Sequence, residues 1–231
     1  MTPEAQDQSP LAQCRQCGTC CRKGGPALHG EDRALVENGQ LPLAALVTLR
    51  QGQRVQDNVS GELIHLSTDV IKIKSAAGKA TCRFLTPAND CSIYAQRPRE
   101  CRLLQCWNTA ALIREYRRNR LTRHDLMGGI PELWDLLQNH QTRCAYDRIY
   151  TLLKALRTQT ESSPEFVELG EIISYDKHLR VLIARKAPRF KEQMDFLLGQ
   201  PLTASLAQLG LRISATPTGW RIRDLARDSA T

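Results

Sequence analysis

Short runs of aliphatic residues predict a small sheet in the first half of the chain. Residues 63–66 and 70–74 are rich in leucine, isoleucine and valine, and residues 81–85 form a third run after a turn. Runs of about four to eight such residues, bounded by turn-forming residues, predict strands. We therefore expect a small antiparallel sheet that carries Cys82.

The spacing of apolar residues outside this sheet predicts helices. Apolar positions three and four residues apart, with proline or serine at helix starts and glycine at helix ends, set the expected limits. The expected helices cover residues 30–39, 43–50, 99–107, 109–118, 131–138, 146–156, 163–185, 188–198 and 202–209. Residues 211–215 and 220–225 are expected to close the chain as a β-hairpin. The predicted fold class is α+β, mainly helical, with a helical C-terminal region.

Length and composition favour a soluble protein of one or two domains. The chain has 231 residues, of which 42% are hydrophobic, enough to bury a substantial core. Its longest apolar region, 41–49, is shorter than the roughly 18 to 20 residues that a membrane helix needs. Residues 1–12 lack the basic and apolar regions of a secretory signal. We therefore expect a cytoplasmic protein without a membrane partner.

The strongest signal in the sequence is a CxxCxxCC run near the N-terminus, made of Cys14, Cys17, Cys20 and Cys21. Thiols three residues apart can converge on one centre, and Gly18 permits the tight backbone that this requires. In a reducing compartment, such thiols are more often metal ligands than disulfides. Adjacent cysteines generally point in different directions, so we expect at most one of Cys20 and Cys21 to complete the set begun by the first two. The other is expected to join a second site or to pack as a buried thiol.

A second group of cysteines lies further along the chain. Its members are Cys82, Cys91, Cys101 and Cys106. The two groups together give eight expected metal ligands, enough for two tetrahedral thiolate sites or for one cluster with spare thiols. Because eight of the nine cysteines precede residue 107, we expect a metal-binding domain over 12–125 and a mostly helical region over 126–231. Residues 1–11 and 227–231 are expected to be unstructured.

The spacing favours an iron–sulfur cluster, with Zn²⁺ as the alternative. The first run is similar to the three-ligand run of bacterial ferredoxins, whose fourth ligand comes from afar, although no cysteine here is followed by proline. Zinc sites commonly use two CxxC pairs, and the second group, with spacings of nine, ten and five, contains none. A 4Fe-4S cluster is therefore the first expectation.

Basic residues interleave with the cysteines, in a chain of net charge +8. They are Arg15, Arg22, Lys23, Arg83, Arg97, Arg99 and Arg102. Four thiolates around Zn²⁺ or an oxidised four-iron cluster leave about two negative charges, which are costly to bury without nearby cations. One interpretation is that these basic residues compensate the negative charge of a buried metal centre. The other is that they form an ordinary solvated surface.

Three segments together resemble a known family. They are residues 14–22, with the CxxCxxCC run followed by arginine, residues 82–85, with the sequence CRFL, and residues 91–102, with the sequence CSIYAQRPRECR. This order of residues resembles the YkgJ-type cysteine-cluster family, described as zinc- or iron-chelating domains. The resemblance covers about residues 14–107. It implies metal ligation by every cysteine of the two groups up to Cys101, and less securely by Cys106.

Flagellin lysine N-methylases are similar over the same cysteine region, which implies an iron–sulfur cluster and suggests an alternative function in protein modification. The first expectation is a metal-cluster binding protein with a redox, sensing or accessory role and an unknown protein partner. A third alternative is nucleic-acid binding through the basic segment 114–123. Aromatic residues make up 5% of the chain, so few platforms for base stacking are available.

The remaining candidate ligands lack a ligand pattern. No phosphate loop, GxSxG elbow or HExxH sequence is present, so no catalytic residue is assigned. The histidines show no HxxxH spacing and are expected to be ordinary polar residues: His29, His65, His124, His140 and His178. Cys144 lies outside the motif and is expected to pack between helices as a small apolar residue.

Overall fold

The structure, a computed structural model, describes residues 14–76, 78–156, 163–216 and 219–224. Its α-helices are α1 (Arg33–Glu37), α2 (Arg99–Leu103), α3 (Ala110–Glu115), α4 (Arg123–Met127), α5 (Pro131–Arg143), α6 (Tyr146–Ala155), α7 (Pro164–Lys186), α8 (Met194–Leu198) and α9 (Leu202–Ala207). Short 3₁₀ segments cover Cys21–Lys23, Gly30–Asp32, Leu43–Ala45, Tyr94–Gln96 and Pro188–Gln193.

The strands form three antiparallel pairs. They are β1 (Leu46–Leu49), β2 (Arg54–Gln56), β3 (Leu63–His65), β4 (Val70–Ile73), β5 (Leu211–Thr216) and β6 (Gly219–Asp224). β1 pairs with β4, β2 with β3, and β5 with β6. The α+β fold class, the dominance of helices and the C-terminal hairpin are therefore confirmed.

The expected helix over 43–50 is wrong. One 3₁₀ turn covers Leu43–Ala45, after which the chain becomes strand β1 and pairs with β4, Leu46 opposite Ile73. Leu46 is fully buried, and Thr48 donates a hydrogen bond of 2.5 Å from its hydroxyl to the Phe196 carbonyl. Tertiary packing on α8 and β-branched residues at consecutive positions favour the strand over the helix that Pro42 suggested.

The strand expected over 81–85 is also wrong. Cys82 pairs with Ser75 in one isolated bridge, and the chain then turns, because the Leu85 N–H donates to the Cys82 carbonyl at 3.1 Å. Cys82 therefore lies opposite Ser75, which follows the end of β4 by two residues, rather than within a sheet. The expected unstructured segments, 1–11 and 227–231, lie outside the described residues.

Two hydrophobic clusters form the core. The first joins β1, β4 and the preceding loops to α5, α7 and α8. The second joins the end of α5 to α6, α7, α9 and the hairpin. The first cluster contains residues from both sides of position 125, and the domain limits of 12–125 and 126–231 stay a prediction. Among the described residues, no helix has the length and apolar character needed to cross a membrane.

Candidate metal centre

The CxxCxxCC loop is a tight turn held against the loop that precedes Cys91. Gly18 adopts a φ of +70°, a left-handed conformation that glycine tolerates best. The Arg22 N–H donates to the Gly18 carbonyl at 3.0 Å, and its guanidinium donates to the Cys17 carbonyl at 3.0 Å and to the Asn89 side chain. A side chain at position 18 would begin 3.0 Å from Leu85 Cδ1, so the fold favours glycine there.

Backbone hydrogen bonds bring the second cysteine group to the first. The Cys82 N–H donates to the Cys21 carbonyl at 2.7 Å, which joins the two segments directly. Cys91 then pairs with Leu85 in a bridge, and the Ser92 N–H donates to the Phe84 carbonyl at 2.9 Å. The nine-residue spacing between the two cysteines is therefore a compact loop that turns back beside Cys21.

Helix α2 supplies Cys101, and buried carboxylates hold this helix in place. Asp32, fully buried, accepts hydrogen bonds from the Arg99 N–H at 2.8 Å and from the His29 N–H at 3.0 Å. Glu100 accepts the Ala27 N–H at 2.8 Å. A helix of five residues has little stability alone, so these contacts fix the position of Cys101.

Five cysteines from four chain segments, Cys20, Cys21, Cys82, Cys91 and Cys101, lie close enough to influence one another's ionisation and are called the converged group. The sulfurs of Cys20 and Cys21 lie 3.9 Å apart. Burial, followed by repulsion from the thiolate forms of Cys20, Cys82 and Cys91, raises the pKa of Cys21 to about 12. Burial raises the pKa of Cys101 as well, and the neighbouring cysteines, Cys82 first, add to the effect.

Three of these cysteines, Cys21, Cys82 and Cys101, have raised pKa values that oppose ionisation without a cation. Burial also raises the pKa of Cys82, with Cys91 and Cys20 as the nearby thiols. Crowded, desolvated thiols stay protonated at neutral pH, and a metal ion reverses this by replacing their protons. The cysteine group therefore has the properties expected of a metal-binding site whose thiols are still protonated.

The other predicted ligands lie at the surface. Cys14, Cys17 and Cys106 are exposed. A hydrogen bond from the Thr19 hydroxyl, 3.2 Å from the Cys17 sulfur, lowers the pKa of that thiol. Within the described residues, no three of the eight sulfurs lie within 4.8 Å of one another. Ligation of one ion would therefore require side-chain rotation, and the assignment of all eight cysteines as ligands stays a prediction.

The donors of the group fit a transition metal that prefers sulfur. Thiolates bind Zn²⁺ and iron–sulfur clusters, whereas Mg²⁺ and Ca²⁺ prefer oxygen ligands. Cys82 is buried, and Cys21, Cys91 and Cys101 are half-buried, so a bound ion would be partly shielded from water. Donor chemistry alone does not choose between iron and zinc, because both accept sets of three or four thiolates.

The neighbouring arginines mainly serve the protein scaffold. Arg99 pairs with Glu31 and Glu115 at 3.1 and 3.3 Å, and Arg102 contacts the Asp32 carboxylate at 3.4 Å. Arg97 stacks on a tyrosine ring, 3.9 Å from its centroid. Direct compensation of the thiols is limited to small effects, in which Arg22 lowers the pKa of Cys17 and Arg83 opposes the raised pKa of Cys82.

A second group of possible ligands escaped the sequence analysis. His140, Cys144 and Asp176 each offer one ligand atom, and these atoms lie within 4.8 Å of one another. Cys144 is buried between helices, as expected, but it packs beside two polar side chains. The available signal was the four-residue spacing of His140 and Cys144 across the end of α5, which an HxxxH pattern does not include.

Comparisons with known proteins agree with the cysteine pattern. Residues 13–120 match a family model whose description reads "CxxCxxCC: Putative zinc- or iron-chelating domain". The match covers slightly less than half of the chain and includes both cysteine groups. No curated protein and no solved structure matched. Residues 13–120 thus match the CxxCxxCC family model, which confirms the resemblance seen in the sequence and supports metal binding by this part of the chain.

Proposed function

We propose that the protein binds an iron–sulfur cluster, with Zn²⁺ as the alternative, and that this centre gives it a redox, sensing or accessory role with a protein partner. The convergence of five cysteines on one group carries the proposal. The ligands would be Cys82, Cys91, Cys101 and one of Cys20 and Cys21. An iron–sulfur cluster would supply one-electron chemistry, and zinc would supply a structural crosslink.

The roles of the individual cysteines follow from their surroundings. Cys82 and Cys101 enter the group from segments held by backbone hydrogen bonds and buried carboxylates, so they supply fixed ligand positions. Cys14 and Cys17 lie at the exposed end of the first loop, where they can close over a bound ion. The free thiols of all nine cysteines are consistent with the reducing cytoplasm that we propose as its compartment.

The basic segment adds no support for nucleic-acid binding. Arg117 pairs with Asp57 at 2.9 Å, and Arg118 contacts Glu115 at 3.5 Å. Phosphate-binding side chains are usually free to reach a ligand, so this segment serves the scaffold first. A protein-modifying activity like that of flagellin lysine N-methylases has no separate observation in its favour.

The test is anaerobic purification followed by iron, zinc and acid-labile sulfide analysis and an absorption spectrum from about 300 to 700 nm, where iron–sulfur clusters absorb and zinc does not. Brown protein with iron and sulfide is the expected result. Colourless protein with stoichiometric zinc would indicate a structural zinc site instead of an iron–sulfur cluster. Protein that binds neither metal after loading under reducing conditions would refute the proposal.

Two serine variants assign the ligands. Cys101→Ser should remove most of the bound metal, because this thiol lies in the converged group. Cys106→Ser, a matched change at an exposed thiol, should retain more metal than Cys101→Ser. Circular dichroism would check that both variants keep their helices. Equal metal content in the two variants would contradict the assignment of Cys101 to the centre.

A further inference from the structure

A cluster of three potential metal ligands lies between α5 and α7, outside the cysteine-cluster domain. His140 and Cys144 stand four residues apart at the end of α5, and Asp176 lies in the middle of α7. All three are buried, with exposures of 0%, 0% and 3%. One nitrogen, one sulfur and one oxygen are therefore brought together in the core, within 4.8 Å of one another.

We propose that His140, Cys144 and Asp176 form a second metal site, which takes a single Zn²⁺ ion. Mixed nitrogen, sulfur and oxygen donors suit this ion, whereas Mg²⁺ and Ca²⁺ would require more oxygen ligands. The site is separate from the cysteine group, and it does not depend on the proposed iron–sulfur cluster.

The separations of the ligand atoms are close to those of a zinc site. Zinc bonds of about 2.0–2.3 Å place neighbouring atoms of a tetrahedron about 3.3–3.8 Å apart. His140 Nε2 and Asp176 Oδ1 lie 2.9 Å apart, so an ion would open this contact by about 0.5 Å on those bond lengths. The sulfur would need to approach from at most 4.8 Å, a change within reach of a side-chain rotation.

The contacts of Asp176 resemble those of a ligand carboxylate. Its Oδ2 accepts the Leu202 N–H at 3.0 Å, and Arg180 Nε lies 3.0 and 3.2 Å from its two oxygens. Ligating carboxylates are commonly oriented by such hydrogen bonds. The ion would take the place now used by His140 at Oδ1, and Leu202 and Arg180 would keep the carboxylate in position.

Two buried side chains have unused hydrogen-bonding atoms beside this cluster. His140 Nδ1 and two nitrogens of Arg50 have no hydrogen-bond partner among the described residues. His140 is held by a hydrogen bond at one ring nitrogen only, so its other nitrogen has no competing partner among the described residues. Arg50 donates to the Cys144 carbonyl at 3.2 Å, which places a buried cation next to the thiol. A metal-bound thiolate would offer an acceptor to this cation.

The charge balance limits the site to one ion. Zinc uptake forms a Zn–S bond, breaks the S–H bond of Cys144 and releases one proton to solvent. The buried cluster therefore gains one positive charge, which the Asp176 carboxylate opposes. The guanidiniums of Arg50 and Arg180 oppose the added charge and so exclude any second cation.

The buried position of the site determines how it must be tested. The three side chains are closed from solvent, so the ion must be taken up as the chain folds. Full-length protein should be expressed in zinc-supplemented medium, and native mass spectrometry should count the zinc ions on each chain. The wild-type protein should carry one more zinc ion than Cys144→Ser and one more than His140→Gln, with circular dichroism as the check on folding.

A cysteine of the other group serves as the control. Cys101→Ser should lose metal from the cysteine group while retaining this zinc ion, and Cys144→Ser should show the reverse. Failure of the proposed cluster and failure of this site are therefore distinguishable. The proposal is overturned if the wild-type protein, Cys144→Ser and His140→Gln carry the same number of zinc ions. If Cys144→Ser does not fold, the comparison of wild type with His140→Gln decides.

Discussion

Removal of the Asp32 carboxylate should destabilise the protein strongly. Asp32 is fully buried and accepts two backbone N–H groups, from His29 and Arg99, besides its 3.4 Å contact with Arg102. Hydrogen bonds to a charged group contribute about 1.5–3 kcal/mol each, and loss of one partner of a buried pair costs about 3–5 kcal/mol. Asp32→Ala should therefore lower the free energy of unfolding by about 3–5 kcal/mol on those values.

Urea unfolding followed by circular dichroism measures this effect. Asp32→Asn should cost about half as much, because it keeps one acceptor oxygen but loses the charge. Glu37→Ala, which removes an exposed ion pair with Arg33, serves as the matched control and should cost less than about 0.5 kcal/mol. A loss below about 1 kcal/mol for Asp32→Ala, outside the range expected of a buried acceptor, would refute the assigned role.

Three further predictions follow from the loops and the surface. Gly18→Ala should lower stability by about 1–2 kcal/mol, since φ is +70° and the new Cβ would meet Leu85 at 3.0 Å; an unchanged melting temperature would contradict this. Burial alone would raise the pKa of Asp57. The Ser60 and Val59 N–H groups and Arg117 outweigh this effect and lower the pKa. Its contribution to stability is therefore present above the unfolded-state pKa and is lost as pH falls through the lower folded-state pKa. Asp57→Asn should accordingly flatten the acid part of a stability–pH curve, whereas an unaltered curve would count against the assignment. Glu168→Gln breaks an exposed ion pair and should change the free energy of unfolding, measured in urea, by less than about 1 kcal/mol; a larger loss would refute a surface role.

Helices of the C-terminal region were predictable because local signals agree with packing there. Ser163 accepts the Phe166 N–H at the start of α7, and proline follows at the first helical position. The longest helix, Pro164–Lys186, therefore matches the expected 163–185 within one residue at each end. Gly199, with a φ of +72°, ends α8 where the sequence indicated.

The errors fall where long-range contacts determine the structure. The local sequence around Leu46 suits a helix start after Pro42, but its pairing with Ile73 across 27 positions could not be seen from either segment. The same holds for Cys82, whose position depends on its bridge to Ser75 and its hydrogen bond to the Cys21 carbonyl. Residue type and spacing identified the candidate ligands. Only the fold shows which of these thiols converge and which are exposed.

The contacts around Cys101 connect the proposed centre to the protein scaffold. Each neighbour of this cysteine has a structural contact: Arg99 with Asp32 through its N–H, Glu100 with Ala27, and Arg102 with Asp32 through its guanidinium. These contacts join α2 to residues 27–32. The hydrogen bond between Cys82 and Cys21 joins the segment of Cys82 to the CxxCxxCC loop.

In the proposed centre, the order of ligand binding would follow from this arrangement. The sulfurs of Cys82 and Cys101 are positioned before any metal arrives, because protein contacts alone fix their segments. Those of Cys14 and Cys17 lie on an exposed loop and lose more conformational freedom when they are bound. An incoming ion should therefore engage the converged thiols first and order the CxxCxxCC loop last, so metal binding stabilises the loop more than the rest of the fold.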